Sequence, residues 1–252
     1  EKPKGVIVQF GGQTAINLAA GLEERGVKIL GTSLDAIDRA EDRNRFEGLL
    51  EELGLSRPEG KAVSDKDLVI PTAEEIGFPV LVRPSYVIGG SQMEIVYDVE
   101  ELTRYLAKTP IISEAKPLLV DEYITGVEVD IDAVSDGITT VVPGVMEHIE
   151  RSGVHSGDSI AVYPPQRLSE TVKQKCLDAT NKIAQTLNVV GLINIQFIIQ
   201  NDEVYVIEVN PRASRTIPFI SKITGLTMAN LATRCILGES LADKGFTTEI
   251  LP

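Results

Sequence analysis

The feature that most constrains the fold is a pair of apolar runs, rich in β-branched residues, in the last quarter of the chain. They cover residues 193–199 and 204–210, and a short polar segment separates them. Two such runs around a short turn are typical of an antiparallel β-hairpin. We therefore expect the second half of the chain to build a sheet that contains this hairpin.

The polar residues of the hairpin are predicted to gather on one face. Side chains alternate along a strand, so Glu208 and Asn210 point the same way. If residues 201–203 form a three-residue turn, Gln196 lies opposite Glu208, whereas a four-residue turn would move Gln196 to the other face. The other face of the second strand is then predicted to carry Tyr205, Ile207 and Val209.

Gln196, Glu208 and Asn210 supply hard oxygen ligands, namely one carboxylate and two amide carbonyls. Magnesium takes such ligands and keeps positions open for phosphate oxygens. The pattern is therefore a candidate metal site. It fits equally well an ordinary hairpin whose polar residues face solvent, so both interpretations stay open at this point.

Two arginines, Arg212 and Arg215, follow the hairpin directly. Guanidinium groups match phosphate and carboxylate oxygens with paired hydrogen bonds, so these two could clamp a transferring phosphoryl group and a carboxylate acceptor. The alternative is that they neutralise nearby acids, since the chain has 24 basic and 37 acidic residues and a net charge of −13. That acidic balance argues against a nucleic-acid-binding protein.

The N-terminal residues indicate a β-α-β unit of a doubly wound α/β sheet. The predicted elements are strands at 5–10 and 27–30 and helices at 14–25 and 35–53. The second helix is predicted to begin at Ser33 or Asp35 and to end at Gly54. Gly11-Gly12-Gln13 is interpreted as a tight turn between strand and helix. Because a strand begins within five residues of Glu1, we expect the chain to be a piece of a longer protein.

Two further stretches carry candidate site residues. Arg83 ends an apolar strand, and the glycines of Gly89-Gly90 would let a loop approach a phosphate with its amide groups. Acids alternate with apolar residues from 128 to 132, so their carboxylates share one face of a strand. We expect Asp130 and Asp132 to be exposed there and Glu128 to be able to accept ribose hydroxyls.

Several other classes of site are excluded. The chain has neither G-x-x-x-x-G-K-[ST] nor G-x-G-x-x-G, so it lacks a P-loop and a dinucleotide fingerprint. His155 stands in a polar loop without a nucleophile elbow, and His148 is expected to be a surface or internally satisfied histidine. Cys176 and Cys235 are expected to be buried apolar residues in a cytoplasmic protein. We expect no signal peptide and no membrane span.

Six stretches together form a set that resembles a known family. They are 39–43 (RAEDR), 82–90 (VRPSYVIGG), 146–150 (MEHIE), 153–159 (GVHSGDS), 194–197 (NIQF) and 207–216 (IEVNPRASRT). The set resembles an ATP-grasp domain and, more closely and nearly end to end, the large chain of carbamoyl-phosphate synthase. That chain contains two related synthetase halves. The tyrosine at 86, the segment 146–150 and the run 215–218 resemble the second half, which phosphorylates carbamate.

The resemblance implies a fold of mixed α/β and α+β character, in which two α+β lobes grip ATP. It implies a partial pre-ATP-grasp β-α-β segment of Rossmann-like type at 1–45. A small lobe with a phosphate-covering loop would follow at 46–125, a large lobe with the metal site at 126–237, and a C-terminal tail at 238–252. We therefore expect an ATP-grasp domain preceded by the end of another domain.

The resemblance also implies roles for matching residues. Arginines near the acceptor would be Arg212 and Arg215, and the ligands of Mg²⁺ or Mn²⁺ would be Gln196, Glu208 and Asn210. The segment 122–124 matches the hinge that holds adenine. The full set of implied ATP contacts is Arg43, Arg83, Gly89, Gly90, Glu122, Ile124, Glu128, Gly153, Val154, His155, Ser156, Gln196 and Glu208.

The implied activity is that of a ligase that uses ATP to phosphorylate carbamate, which gives carbamoyl phosphate for arginine and pyrimidine biosynthesis. The implied partners are the remaining parts of the synthase large chain and a glutaminase small subunit or domain. One alternative is another ATP-grasp ligase that joins a carboxylate to an amine. A second is a nucleotide-binding module without turnover, because the family's earlier pre-grasp portion and its allosteric domain are absent from this sequence.

Overall fold

The computed structural model describes residues 2–85, 93–109, 112–154 and 158–247. The α-helices are α1 (Gly12–Asn17), α2 (Ala19–Glu23), α3 (Leu34–Glu41), α4 (Arg43–Leu53), α5 (Val69–Ile76), α6 (Val99–Lys108), α7 (Glu170–Thr186), α8 (Ile217–Thr224) and α9 (Met228–Ile236). The strands are β1 (Gly60–Val63), β2 (Val80–Pro84), β3 (Glu94–Val96), β4 (Leu118–Glu122), β5 (Val127–Asp136), β6 (Thr140–Val141), β7 (Val145–His148), β8 (Ala161–Val162), β9 (Val190–Gln200) and β10 (Glu203–Asn210). Short 3₁₀ turns lie at Lys66–Leu68 and Ala242–Lys244.

The chain divides into two compact units. The first unit contains residues 1–56, 127–149 and 161–252, and the second contains residues 57–126 and 150–160. Each unit has an antiparallel sheet with helices packed against it. The expectation of a mixed α/β and α+β protein is therefore confirmed.

The sheet of the first unit runs in the order β10-β9-β5-β7-β8, with β6 paired to β5. Its centre is the long pairing of β5 with β9, which joins residues 127–136 to residues 190–199. Odd-numbered residues of β9, from Ile193 to Ile199, pack into a core against α7 and the α3–α4 pair. On the opposite face, Leu192 packs with residues of α8 and α9. The even-numbered residues beyond Leu192 are therefore the ones that can present polar groups on that second face.

The sheet of the second unit has four strands in the order β1-β4-β2-β3, all antiparallel. Helices α5 and α6 supply apolar side chains to one buried cluster, which includes Val69, Leu102 and Leu106 together with Val82 and Val120 of the central strands. The unit therefore has a core of its own.

The N-terminal segment contains less strand than the sequence predicted. The expected pair of strands at 5–10 and 27–30 is reduced to one parallel bridge between Val6 and Ile29. Two backbone hydrogen bonds make this bridge, from the Val6 N–H to the Lys28 carbonyl and from the Leu30 N–H to the Val6 carbonyl. A pairing this short supplies too few hydrogen bonds to keep the flanking residues in a regular strand conformation.

The helix predicted at 35–53 is two helices. Asp42 breaks it with an extended conformation (ψ 124°), and its side chain accepts a hydrogen bond from the Arg45 N–H to cap α4. Ser33 caps α3, as expected, by accepting from the Ala36 N–H. Gly54 ends α4 in the left-handed conformation, which glycine adopts without a steric penalty, so the predicted end of this segment is correct.

The hairpin turn differs from the predicted three-residue turn. Only Asn201 and Asp202 form it, both with positive φ (51° and 62°), and Glu203 already pairs with Gln200. A bulge at Ile207 then shifts the register by one residue. The result is that Glu208 lies opposite Gln196 as predicted, but because of the bulge and not because of the turn.

The bulge also changes which residues share a face. Val204 and Val206 pack against the core before the bulge, and Val209 does so after it. Tyr205 was predicted to lie on the same face as Val209, and this is wrong. A single extra residue reverses the alternation of side chains along the rest of the strand.

Asp130 and Asp132 are buried, with 4% exposure each, which corrects the expectation that they face solvent. Cys176 and Cys235 are buried as expected, and burial raises the pKa of their thiols to about 12 and about 11. Within the described part of the chain, none of the helices has the length and apolar character needed to cross a membrane.

Candidate functional site

The predicted metal ligands lie on the second face of the first unit's sheet. Gln196 and Glu208 are direct cross-strand partners, and Asn210 pairs with Asn194 one step further along. Directly opposed residues of antiparallel strands have Cβ atoms about 5 Å apart. Glu208 is exposed, Gln196 half-buried and Asn210 buried. The hairpin therefore brings the carboxylate and both amides to one patch.

The donor set of this patch fits a hard divalent cation better than a soft one. One carboxylate and two amide oxygens are ligands that Mg²⁺ accepts, and an exposed carboxylate leaves positions for phosphate oxygens. No group of three or more His, Cys, Asp or Glu residues is arranged to hold a metal in the described ranges. A metal site here would therefore depend on Gln196 and Asn210 together with Glu208.

The arginine loop, which we define as residues 211–216, is anchored by Asp132 of β5. The Thr216 hydroxyl donates to one Asp132 oxygen, and the Asn194 amide donates to the other at 3.0 Å. Ser214 and Thr216 are linked through their hydroxyls at 2.7 Å. Burial raises the pKa of Asp132 to about 6, against the lowering effect of the hydroxyl hydrogen bonds. The loop that carries both predicted arginines thus rests on a buried acid.

Arg212 is held from two sides. Its Nε donates to the side-chain oxygen of Gln13 at 3.0 Å, and its Nη2 donates to Asn210 Oδ1 at 2.8 Å. Gln13 in turn donates its amide to both carboxylate oxygens of Glu41, at 3.1 and 3.0 Å. Arg212 is half-buried, whereas Arg215 is exposed. The guanidinium of Arg212 is therefore fixed beside the predicted metal ligand Asn210.

A second buried polar group surrounds His148. Its Nε2 lies 2.9 Å from Asp130 Oδ2, and its Nδ1 lies 3.4 Å from Glu128 Oε2. Burial alone lowers the pKa of His148, but the two carboxylates outweigh it and raise the pKa to about 9. The histidine is thus a buried cation paired with two carboxylates, although its Nδ1 forms no hydrogen bond. It holds Glu128, the predicted ribose ligand, from one side.

In the second unit, the predicted adenine hinge is tied to the segment 150–154. The Tyr123 hydroxyl donates to the Ser152 carbonyl at 2.8 Å, and the Ser152 hydroxyl donates to the Ile124 carbonyl at 2.7 Å. Gly153 has a φ of 85°, and a Cβ there would lie 3.1 Å from Ile95 and 3.2 Å from Tyr123. The positive φ therefore favours glycine, and a side chain there would also require Ile95 or Tyr123 to shift by a few tenths of an ångström.

A cavity of about 340 Å³ lies in this unit beside Gly153. Its lining combines apolar and polar side chains, which suits a small organic ligand that carries polar groups. The lining residues are Leu81, Met93, Glu94, Ile95, Tyr97, Arg151 and Gly153. Of the predicted nucleotide contacts, it therefore includes one, Gly153.

Three of the remaining predicted contacts, Arg43, Arg83 and Glu122, have polar neighbours within their own compact units. Arg83 Nε lies 3.8 Å from Asp121, and the Glu122 carboxylate accepts from the Glu59 N–H at 3.3 Å. Arg43 forms an ion pair with Glu47 at 3.0 Å. Val154 is half-buried. Gly89, Gly90, His155 and Ser156 lie outside the described residues.

Two family descriptions match this chain. Residues 1–39 match the carbamoyl phosphate synthase preATP-grasp domain, and residues 42–244 match the carbamoyl-phosphate synthase L chain, ATP binding domain. The second match alone covers well over half of the chain. The chain belongs to the carbamoyl-phosphate synthase large-chain family. The resemblance inferred from the sequence motifs is therefore confirmed.

Solved structures share the fold. The biotin carboxylase domain of a Hydrogenobacter thermophilus 2-oxoglutarate carboxylase, in complex with MgADP, ADP and bicarbonate, is 22% identical over 90% of this chain and 51% of its own, with a TM-score of 0.74. Biotin carboxylase from Campylobacter jejuni, in complex with β-γ-ATP, is 17% identical over 90% and 52%, with a TM-score of 0.76. D-alanine–D-alanine ligase from Bacillus anthracis, complexed with ATP, is 18% identical over 91% and 78%, with a TM-score of 0.67.

These likenesses confirm the predicted ATP-grasp fold. The present chain spans about half the length of the two carboxylase structures. Their low identity makes them a guide to architecture only.

Sequence reasoning missed several residues that surround the predicted ones. Gln13 was interpreted as part of a turn, and Glu41 was quoted within the stretch 39–43 without a role, yet Gln13 donates to Glu41 and accepts from Arg212. Asn194 was part of a recognised motif, and period-two alternation would have placed it beside Gln196. No local sequence signal connects Gln13 with Arg212, because 199 residues separate them.

Proposed function

We propose that this chain binds Mg·ATP and transfers the γ-phosphoryl group to carbamate, giving carbamoyl phosphate and ADP. Family membership supports the general class, an ATP-grasp ligase domain. The single observation that carries the proposal is the pairing of Glu208 with Gln196, beside Asn210 and its hydrogen bond from Arg212. This combination of oxygen ligands and a fixed cation matches what a phosphoryl transfer requires.

In the proposed reaction, an oxygen of carbamate forms a bond to the γ-phosphorus while the bond from that phosphorus to the β–γ bridging oxygen breaks. The electron pair of the broken bond leaves with ADP. Carbamate is already anionic, so the chain needs no general base for the attack. Phosphoryl transfer depends instead on positioning and on neutralising negative charge.

The chain's own residues would supply both requirements. Gln196, Glu208 and Asn210 would hold Mg²⁺ or Mn²⁺, which when bound neutralises charge on the phosphate oxygens. Arg212 and Arg215 would stabilise charge on the acceptor and on the transferring group. Arg212 is suited to this because hydrogen bonds on two of its edges fix its orientation.

The nucleotide contacts are part of the same proposal. Glu128 would accept the ribose hydroxyls, and the backbone of the segment 122–124 would hold adenine. The Glu122 side chain already accepts a hydrogen bond from Glu59, which favours a role for its backbone over its carboxylate. The proposed phosphate and pocket contacts are Arg43, Arg83, Gly89, Gly90, Gly153, Val154, His155 and Ser156.

The whole protein is proposed to act as the second synthetase half of a carbamoyl-phosphate synthase, in the cytoplasm. Its partners would be the remaining parts of the large chain and a glutaminase. The product would serve arginine and pyrimidine synthesis. The motifs 146–150 and 215–218 are the sequence support for the second half.

A second candidate is another ATP-grasp ligase that joins a carboxylate to an amine. The D-alanine–D-alanine ligase likeness, which covers 78% of that enzyme, supports the capacity of the fold for such chemistry. The two candidates differ in the acceptor and not in the handling of ATP. A nucleotide-binding module without turnover is the third candidate; the chain spans about half the length of the two carboxylase structures.

The reverse reaction separates these candidates. The chain is incubated with Mg·ADP and carbamoyl phosphate, and ATP is measured by luminescence. ATP formation from carbamoyl phosphate, and none from acetyl phosphate or D-alanyl phosphate, supports carbamate as the acceptor. ATP formation from an acyl phosphate alone points to a carboxylate–amine ligase. Calorimetric binding of Mg·ADP without any ATP formation contradicts the proposed turnover.

A further inference from the structure

Gln13 connects an anion to a cation. Its amide nitrogen donates to both oxygens of Glu41, at 3.1 and 3.0 Å, and its amide oxygen accepts from Arg212 Nε at 3.0 Å. A carboxylate can only accept and a guanidinium can only donate, so the two partners fix which end of the amide faces which way. Gln13 is also half-buried at the start of α1.

Arg212 carries this connection to the hairpin. Its Nη2 donates to Asn210 Oδ1 at 2.8 Å, and its backbone N–H donates to the Asn210 carbonyl at 2.7 Å. A guanidinium has five N–H donors, and hydrogen bonds at Nε and Nη2 fix the plane of the group. The three other donors then point in set directions. The hydrogen bonds therefore link Glu41 to Gln13, Gln13 to Arg212 and Arg212 to Asn210.

We propose that Gln13 is a positioning residue for the nucleotide and metal site. It holds the plane of Arg212, and Arg212 in turn orients the Asn210 amide by donating to its oxygen. This inference rests on the proposed function, since Asn210 and Arg212 are its predicted metal ligand and acceptor arginine. Asn210 is only 5% exposed, so hydrogen bonds to solvent can contribute little to the orientation of its amide.

The chemistry explains why a glutamine stands at this position. A glutamate would place a second carboxylate against Glu41, and the repulsion would separate the two side chains. A lysine or arginine would repel Arg212 in the same way. An apolar residue would leave Arg212 Nε and the Glu41 carboxylate without this partner. Only a group that both donates and accepts joins the two charged neighbours.

An exchange of the two residues tests this idea. Gln13→Glu alone brings two carboxylates together. The double variant Gln13→Glu/Glu41→Gln restores the hydrogen bonds between residues 41, 13 and 212, because the new amide at 41 donates to the new carboxylate at 13, which accepts from Arg212. The hydrogen bond that Gln13 donates to Asn17 at 3.0 Å is kept only if the Asn17 amide turns to donate instead. A matched control is Gln174→Glu/Asp178→Asn, which exchanges an exposed Gln–Asp hydrogen bond of 2.8 Å on α7.

The first readout is the affinity of Mn²⁺ in the presence of ADP, measured from the free-ion signal in electron paramagnetic resonance. We expect Gln13→Glu to weaken binding about tenfold, the equivalent of one hydrogen bond to a charged group. We expect the double variant to return to within about threefold of the wild type, and the control to match the wild type. Unchanged binding in Gln13→Glu overturns the inference, as does a double variant that stays weak while its thermal unfolding is normal.

The second readout separates this inference from the proposed function. The Nε–H resonance of Arg212, assigned with Arg212→Lys, is followed in the 252-residue chain without any ligand. The positioning role is supported if the Nε–H proton exchanges slowly with solvent in the wild type and in the double variant but fast in Gln13→Glu. This result supports the positioning role even if the chain binds no Mn·ADP. In that case the proposed function fails and the positioning of Arg212 stands. Equal exchange in all three proteins overturns the positioning role.

Discussion

Glu208 lies directly opposite Gln196, although the turn between their strands contains only two residues. The bulge at Ile207 makes this possible, because it adds one residue to β10 and shifts the register beyond it. Without that shift, Gln196 would face Ile207 and the carboxylate would belong to the opposite face. The candidate metal site therefore depends on one irregular position in an otherwise regular hairpin.

Glu208→Gln is expected to remove most of the phosphoryl transfer. The substitution keeps the size of the side chain, but it removes the only charge among the three proposed ligands and turns one acceptor oxygen into a donor. Loss of one such contact costs on the order of 3 kcal/mol, roughly a hundredfold in rate. The measurement is ATP formation from Mg·ADP and carbamoyl phosphate. Wild-type rates in this variant would remove Glu208 from the site.

Asp132→Asn is expected to change how stability depends on pH. The pKa of Asp132 is raised to about 6 in the folded chain from its ordinary value of 3.8, first because of burial. The folded state thus holds this proton more tightly, so the group contributes stability that is fully present below pH 3.8 and is lost as pH rises through 6. The whole shift corresponds to about 3 kcal/mol.

The test compares urea unfolding of the wild type and Asp132→Asn at pH 5 and pH 8. Between these values we expect the wild type to lose about 1.4 kcal/mol relative to the variant, which carries no titrating group at 132. Curves that stay parallel would show that Asp132 keeps an ordinary pKa.

Glu147→Gln is expected to destabilise the first unit. Glu147 is fully buried and accepts hydrogen bonds from the backbone N–H groups of Gln166 and Arg167, both at 2.8 Å, and from the Arg167 side chain. These bonds outweigh burial and hold the pKa of Glu147 below its ordinary value. Stability from this group is therefore present at neutral pH and lost in acid.

For Glu147→Gln we expect a loss of about 2–3 kcal/mol at pH 7, since an amide cannot accept all of these donors. Chemical denaturation measures it. Glu170→Gln, which removes an exposed ion pair to Lys173, is the control and is expected to leave stability unchanged. A similar effect in both variants would contradict the special role of the buried acid.

Gly153→Ala is expected to weaken nucleotide binding. An alanine would have to adopt a φ of 85°, and its Cβ would approach Ile95 at 3.1 Å and Tyr123 at 3.2 Å. The strain costs about 1–2 kcal/mol. It acts at a residue that lines the cavity, so it is expected to disturb the cavity wall. Calorimetry with ADP should show about tenfold weaker binding. Gly48→Ala, within α4 where a Cβ meets no neighbour, is the control and should bind ADP normally.

Local patterns predicted the elements that depend on local chemistry. The caps at Ser33 and Gly54, the hairpin itself and the burial of both cysteines are correct, because each follows from neighbouring residues. The strands predicted at 5–10 and 27–30 were too long, since a strand persists only where a partner supplies hydrogen bonds. The burial of Asp130 and Asp132 was missed for the related reason that packing partners come from distant parts of the chain.

The sequence by itself determined the family, the ATP-grasp fold and which residue types are available for a phosphoryl-transfer site. The tertiary structure decided how those residues meet. The bulge at Ile207 sets Glu208 against Gln196, and Gln13 reaches Arg212 from the opposite end of the chain. The physical reason is that alternation and capping act between near neighbours, whereas strand register and side-chain hydrogen bonds depend on where the whole backbone places groups that are far apart in sequence.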